Sequence, residues 1–146
     1  MRTVHIVDPE DTRQTLTVLG EQVQIFGQGD LSKPFEVHLQ EGQIGGGPPP
    51  HYHPWDEAFY VLEGEVEVLV EGSVQTLGAG AYVHVPAGTV HAYTNKVSPT
   101  SLLAVVSDSR GGQLFAEMDR VADQLPHNAA LLEEISSRMA VHFVAD

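Results

Sequence analysis

Between Phe35 and Val106, glycine and proline interrupt the chain so often that little room remains for a helix of ordinary length. The segments between the interruptions repeat with a period of two. Val66, Val68 and Val70 are interleaved with Glu65, Glu67 and Leu69, and Phe35, Val37 and Leu39 with Glu36, His38 and Gln40. A chain of this kind folds as many short strands joined by tight turns. The expected strands are Thr3–Val7, Thr15–Leu19, Val23–Gly27, Phe35–Gln40, Glu57–Leu62, Glu65–Val70, Ser73–Leu77, Ala81–Val85, Val90–Asn95 and Leu102–Val106. Glu63-Gly64 and Glu71-Gly72 are the turn signals between neighbouring strands.

The last third changes period. Phe115, Met118, Val121, Ala122 and Leu125 recur at helical spacing up to Pro126, and a second helix begins with Asn128 as its cap. Val141–Val144 fits a closing edge strand. With 146 residues, the chain suits one compact domain over 1–146, an all-β core with a helical tail over about 112–140.

Composition removes several functions. Seven basic against twenty acidic residues give a formal charge of -13, which repels nucleic acid and anionic lipid. No cysteine is present, so thiolate ligation and disulfides are excluded. No run is apolar and long enough to span a bilayer, and residues 1–10 lack a secretion-signal pattern. The expectation is a cytoplasmic protein whose partner is a small molecule, with no nucleic acid and no membrane.

The chemistry concentrates at His51-Tyr52-His53. Two histidines at i and i+2 of a strand share a face, with Cα atoms about 7 Å apart, and their rings can converge on one ion. Glu57 would lie about 13 Å beyond His53 on a straight strand. Pro54-Trp55-Asp56 must therefore bend the chain to bring it back, and His91 must arrive from a separate strand. By the same parity argument, His38 and His84 fall out of phase with the apolar residues beside them. Both are expected to be exposed or at a subunit contact. Tyr93 shares parity with His91, and Phe59 and Val61 share it with Glu57, so these three, with Trp55 in the adjoining loop, are the candidate walls of a substrate pocket.

Two spaced motifs carry a resemblance. Gly45, His51, His53, Glu57 and Gly64 form one over residues 45–64; Gly80, Pro86, Gly88, His91 and Asn95 form the other over 80–95. Ten specified residues at fixed offsets arise by chance with a probability of about 10⁻¹¹ at ordinary residue frequencies. The pattern resembles the two motifs of the cupin superfamily. That resemblance implies a jelly-roll β-barrel, with one divalent transition-metal ion per chain held by His51, His53, His91 and Glu57. Zn²⁺ is the favoured ion; Fe²⁺, Ni²⁺, Mn²⁺ or Cu²⁺ would suit the same donors. It also implies a homodimer paired through outer sheet faces.

The run His51 to Gly64, HYHPWDEAFYVLEG, together with the helical tail, is similar to small cupins of aromatic polyketide pathways. This implies a cyclase that closes a poly-β-keto chain by intramolecular aldol condensation, with Glu57 or a hydroxide on the ion as general base. A quercetinase-like dioxygenase is the alternative enzyme. A binding module without catalysis is a further one.

Overall fold

The computed structural model describes residues 4–10, 14–26 and 34–144. Among these residues, eleven strands and two helices follow one another in the order β1 (Leu16–Val18), β2 (Glu21–Phe26), β3 (Glu36–Gly42), β4 (His51–Tyr52), β5 (Glu57–Glu63), β6 (Glu65–Val70), β7 (Ser73–Gly78), β8 (Tyr82–Val85), β9 (His91–Asn95), β10 (Thr100–Val106), α1 (Arg110–Arg120), α2 (Ala129–Arg138) and β11 (His142–Phe143). A six-stranded sheet in the order β1-β2-β3-β10-β5-β8 faces a five-stranded sheet in the order β11-β4-β9-β6-β7. Both are antiparallel throughout, a jelly roll as the motif pattern implies.

The turn between β5 and β6 shows why the sequence folds this way locally. Gly64 sits at φ +86°, and a Cβ there would meet the Thr100 hydroxyl at 2.4 Å and the Pro99 carbonyl at 2.7 Å. Only glycine satisfies both the left-handed backbone and the close approach of β10.

Apolar side chains gather in two clusters. Phe59, Val61, Val66, Val68, Val85, Leu102 and Ala104 fill the space between the sheets at one end. Leu16, Val18, Val23, Trp55, Leu114, Met118 and Ile135 form the second, where the helices close the barrel against β1 and β2. The Asn128 side chain caps α2 by accepting a hydrogen bond from the Leu131 amide, as its position predicts. β11 pairs with β4 at the edge of the five-stranded sheet.

Three expectations are corrected. Val4–Val7 form no strand, and Val4 and Ile6 lie exposed; Thr3 and Gly27, at the ends of two expected strands, fall outside the described residues. Helix α1 ends at Arg120, well before Pro126, because a turn at 121–124 and a short 3-10 turn, Leu125–His127, intervene.

The third correction concerns β3, whose two faces are inverted. Glu36, His38 and Gln40 are buried, and His38 is only 1% exposed, whereas Phe35 is 51% exposed. Parity identified the two faces but assigned the wrong one to the interior. At this end of the barrel the interior is a cavity into which β3 turns His38 and Gln40, and the apolar side of β3 joins an outer apolar stripe. The burial of His38 needs partners, and Glu36 supplies one: its carboxylate lies 2.5 Å from His38 Nε2.

Helix α1 rests directly on this pair. A Cβ at Gly112 would stand 2.4 Å from the Glu36 carboxylate, and one at Gly111 3.5 Å from the His38 ring. Alanine normally favours a helix interior by about 1 kcal/mol over glycine. Here the Glu36 carboxylate cannot yield without leaving His38, so the steric term dominates. Gly112→Ala is expected to lower unfolding stability by about 1–3 kcal/mol, as measured by urea denaturation. Unchanged or increased stability would show that the contact yields freely.

Candidate metal centre

The strand register brings the four ligand candidates together. His51 of β4 is directly opposite His91 of β9, so two residues forty positions apart become cross-strand neighbours. Their ring centroids lie 4.2 Å apart, with His53 4.9 Å from His91 and 5.6 Å from His51. Pro54-Trp55-Asp56 turns the chain, and Glu57 opens β5 with Oε2 3.0 Å from His53 Nε2 and 3.4 Å from His91 Nε2. One ligand atom from each of the four falls within 4.8 Å of every other.

The outer side of each ring is anchored. His51 Nδ1–H donates to the Pro49 carbonyl at 2.8 Å, His53 Nδ1–H to the Trp55 carbonyl at 3.0 Å, and His91 Nδ1–H to the Thr89 carbonyl at 2.8 Å. A neutral imidazole that donates from Nδ1 presents a bare lone pair at Nε2. In His53 and His91 that atom faces a carboxylate oxygen, so each contact needs either a proton on Nε2 or a cation between the two. Such a juxtaposition is stable only around positive charge. Neutral imidazoles with backbone-held Nδ1 and a carboxylate among them are the donor set of a divalent transition metal. The residues therefore fit the ion the motifs imply, without selecting which one.

Electrostatics agree. Burial, reinforced by His91, lowers the His51 pKa to about 4, so this ring stays neutral and ready for coordination. Burial opposes the charge on Glu57, but its hydrogen bonds with His53 and His91 outweigh that and hold the carboxyl well below the usual range. Burial likewise opposes a proton on His91, yet the Glu57 hydrogen bond prevails and raises its pKa.

The cluster borders a cavity of about 80 Å³, room for a few waters or one small molecule. Trp55 and Tyr93 line it. The Trp55 indole stacks on His53 at 4.5 Å and 10° between planes, and the Arg110 guanidinium covers the indole at 5.2 Å. Phe59 and Val61 lie instead in the packed layer between the sheets, because β5 runs away from the cluster after Glu57. His84 faces outward and bonds Asp56 at 2.9 Å.

Three polar residues of the cavity wall, Glu21, His38 and Gln40, escaped the sequence reading, as did Glu36 behind them. Tyr93 donates to Glu21, with Gln40 Oε1 2.7 Å from the same hydroxyl, and His38 stands on the β3 wall beside its partner Glu36. Burial pushes the Glu21 carboxyl up, while burial and Glu21 together raise Tyr93 well above its usual value. The signal that could have found Glu36, His38 and Gln40 is their strict alternation on one strand; Glu21 left none.

Metal binding should displace the proton that Glu57 stabilises on His91. Affinity is therefore expected to rise with pH, up to tenfold per unit while one proton is released. Calorimetry with Zn²⁺ in buffers of different ionisation enthalpy measures that proton directly. A pH-independent affinity between pH 5 and 8 would contradict the coupling.

Comparison with known proteins agrees with this geometry. Residues 35–106 match the family model described as Cupin domain. Quercetin 2,3-dioxygenase of Bacillus subtilis (strain 168) is 31% identical over 126 residues, which is 86% of this chain and 36% of that protein. The chain thus spans about a third of that relative's length. Among solved structures, an RmlC-like cupin from Shewanella frigidimarina superposes with a TM-score of 0.66 at 22% identity, covering 76% of this chain and 96% of that one. The polyketide cyclase RemF from Streptomyces resistomycificus superposes with a TM-score of 0.58 at 24% identity, covering 75% and 80%. The two structural likenesses establish the fold alone. Motifs, jelly roll and family model coincide, and the chain belongs to the cupin superfamily, with its cupin domain over residues 35–106.

Proposed function

We propose that this cupin is a metal-dependent enzyme acting on a small enol or enolisable ketone, which it joins to dioxygen in the manner of a quercetin 2,3-dioxygenase. One observation carries the reading: three backbone-anchored imidazoles turn their Nε2 atoms toward one carboxylate at the wall of a largely apolar cavity. A bound divalent metal would supply Lewis acidity toward a chelating carbonyl or enol and, if redox-active, access to oxygen chemistry.

The chain's own residues do the rest. Glu57 is held ionised against burial, and its Oε2 faces both rings, which leaves Oε1 to take the proton of an enol or of an α-carbon. Trp55 keeps the His53 ring in place. Val18, Val23, Leu114 and Met118 on the cavity wall keep out water, which would compete for that proton.

Likeness to the dioxygenase over 86% of the chain supports the oxygen-using reaction. The second reading, intramolecular aldol cyclisation, uses the same ion and base without oxygen, and the run HYHPWDEAFYVLEG supports it.

Oxygen uptake with quercetin, measured on protein loaded in turn with Fe²⁺, Ni²⁺, Mn²⁺, Cu²⁺ and Zn²⁺, separates the two. Uptake is expected with at least one redox-active ion and not with Zn²⁺. Glu57→Gln should lower turnover about 10²- to 10⁴-fold, and His91→Ala should lose the ion. No uptake with any loaded ion would remove the dioxygenase reading and leave the cyclase to be tested with a poly-β-ketone.

We also propose that two copies pair through the outer face of the six-stranded sheet. Leu39, Leu103, Tyr60 and Tyr82 align across four strands in register, and Val105 and Leu62 extend the stripe. Tyr60, Leu62, Tyr82 and Val105 are all exposed in the single chain. Sedimentation velocity should show a dimer that Tyr60→Arg converts to monomer. A monomeric wild type at tens of micromolar would end this proposal.

A further inference from the structure

The burial of His38 is not explained by the metal centre. Its ring is 1% exposed, one nitrogen is engaged by Glu36 at 2.5 Å, and the other, Nδ1, has no hydrogen-bond partner. A buried polar atom without a partner costs roughly 1–3 kcal/mol. Native cores rarely keep one without a use. Phe115 meets the ring edge-on at 5.0 Å, and α1 packs over it through Gly111, so the imidazole is held in one orientation. The Glu36 carboxylate can only accept, so the proton belongs on Nε2, and in that tautomer Nδ1 is a bare acceptor.

The strand register sets the distance to the metal centre. Glu36, Val106 and Glu57 form one cross-strand row, which puts the backbones of Glu36 and Glu57 about 10 Å apart. His38 and the four metal-ligand candidates line the same cavity. His38 lies one step further along β3, opposite Ala104 and Phe59, so one small molecule in this cavity can meet both the ligand candidates and His38. β3 also turns its polar face inward, and such conflicts between local pattern and fold tend to mark functional positions.

From this geometry we infer that His38, oriented by Glu36, is the second polar anchor of the cavity: Nδ1 accepts a hydrogen bond from a hydroxyl on the bound molecule, at the end remote from the metal. Ligands of this cavity then carry two features, a chelating oxygen at one end and an O–H donor at the other. The inference rests on the reading that the cavity takes a small molecule, but not on which reaction follows.

Phenol and toluene, nearly equal in shape and different in the O–H donor, test it on the purified full chain. Trp55 is the only tryptophan, so its fluorescence reports cavity occupancy, and ¹⁵N-histidine NMR reports the Nδ1 atom itself. Phenol should bind about tenfold more tightly than toluene, the effect of one added hydrogen bond. It should also move the His38 Nδ1 resonance, which toluene leaves in place. His38→Phe should abolish the preference while still admitting toluene. Should that variant fail to fold, the wild-type NMR comparison decides alone, with Glu36→Gln expected to release the ring into both tautomers.

Equal binding of phenol and toluene, a preference that survives His38→Phe, or an Nδ1 resonance that phenol leaves unmoved would each overturn the inference. Absence of oxygen uptake would remove the dioxygenase reading and leave these results untouched.

Discussion

Three hydrogen bonds from imidazole Nδ1 to backbone carbonyls organise the centre of this protein. Pro49, Trp55 and Thr89 each receive one, and each lies two residues from the histidine it holds. The anchors are local, yet they set a global property. They fix the tautomer of all three rings and turn three Nε2 lone pairs toward one point. Glu57 completes the cluster, a donor set that could hold a divalent metal ion. Around that point the rest of the barrel has two tasks: to hold β4 against β9, and to bring β5 in beneath them.

The surroundings serve the same arrangement. Trp55 lies flat on His53 and is itself capped by Arg110 from the start of α1, so the helical tail reaches the candidate metal centre through an aromatic ring. On the far wall, α1 presses two glycines against Glu36 and His38. The helices are thus more than a lid. They close the open end of the barrel with Leu114 and Met118.

Much of the candidate site was legible in advance because its ligand candidates obey short-range rules. The i, i+2 pairing of His51 and His53 is set by strand geometry, and the bend at Pro54 is set by proline chemistry. His91 could be assigned only through the motif, since nothing local says that it faces His51. Parity failed on β3 for a definite physical reason. It assumes that the apolar face of a strand is the buried one, which holds over a packed core but not along a cavity wall. The pocket walls were legible in part: Tyr93 and Trp55 line the space, while Phe59 and Val61 follow β5 into the packed layer.

The sequence by itself determined the strand-rich class, the turns that require glycine, the absence of thiolate chemistry and the identity of the ligand candidates. Each follows from interactions within a few residues or from composition. Only the tertiary structure decided which face of β3 is interior, that Glu36 and His38 form a buried pair, and that Glu21 reaches Tyr93 across the barrel. Those contacts join residues whose separation along the chain carries no information about their separation in space. They come into being when two sheets close around a cavity, and no local pattern can encode that closure.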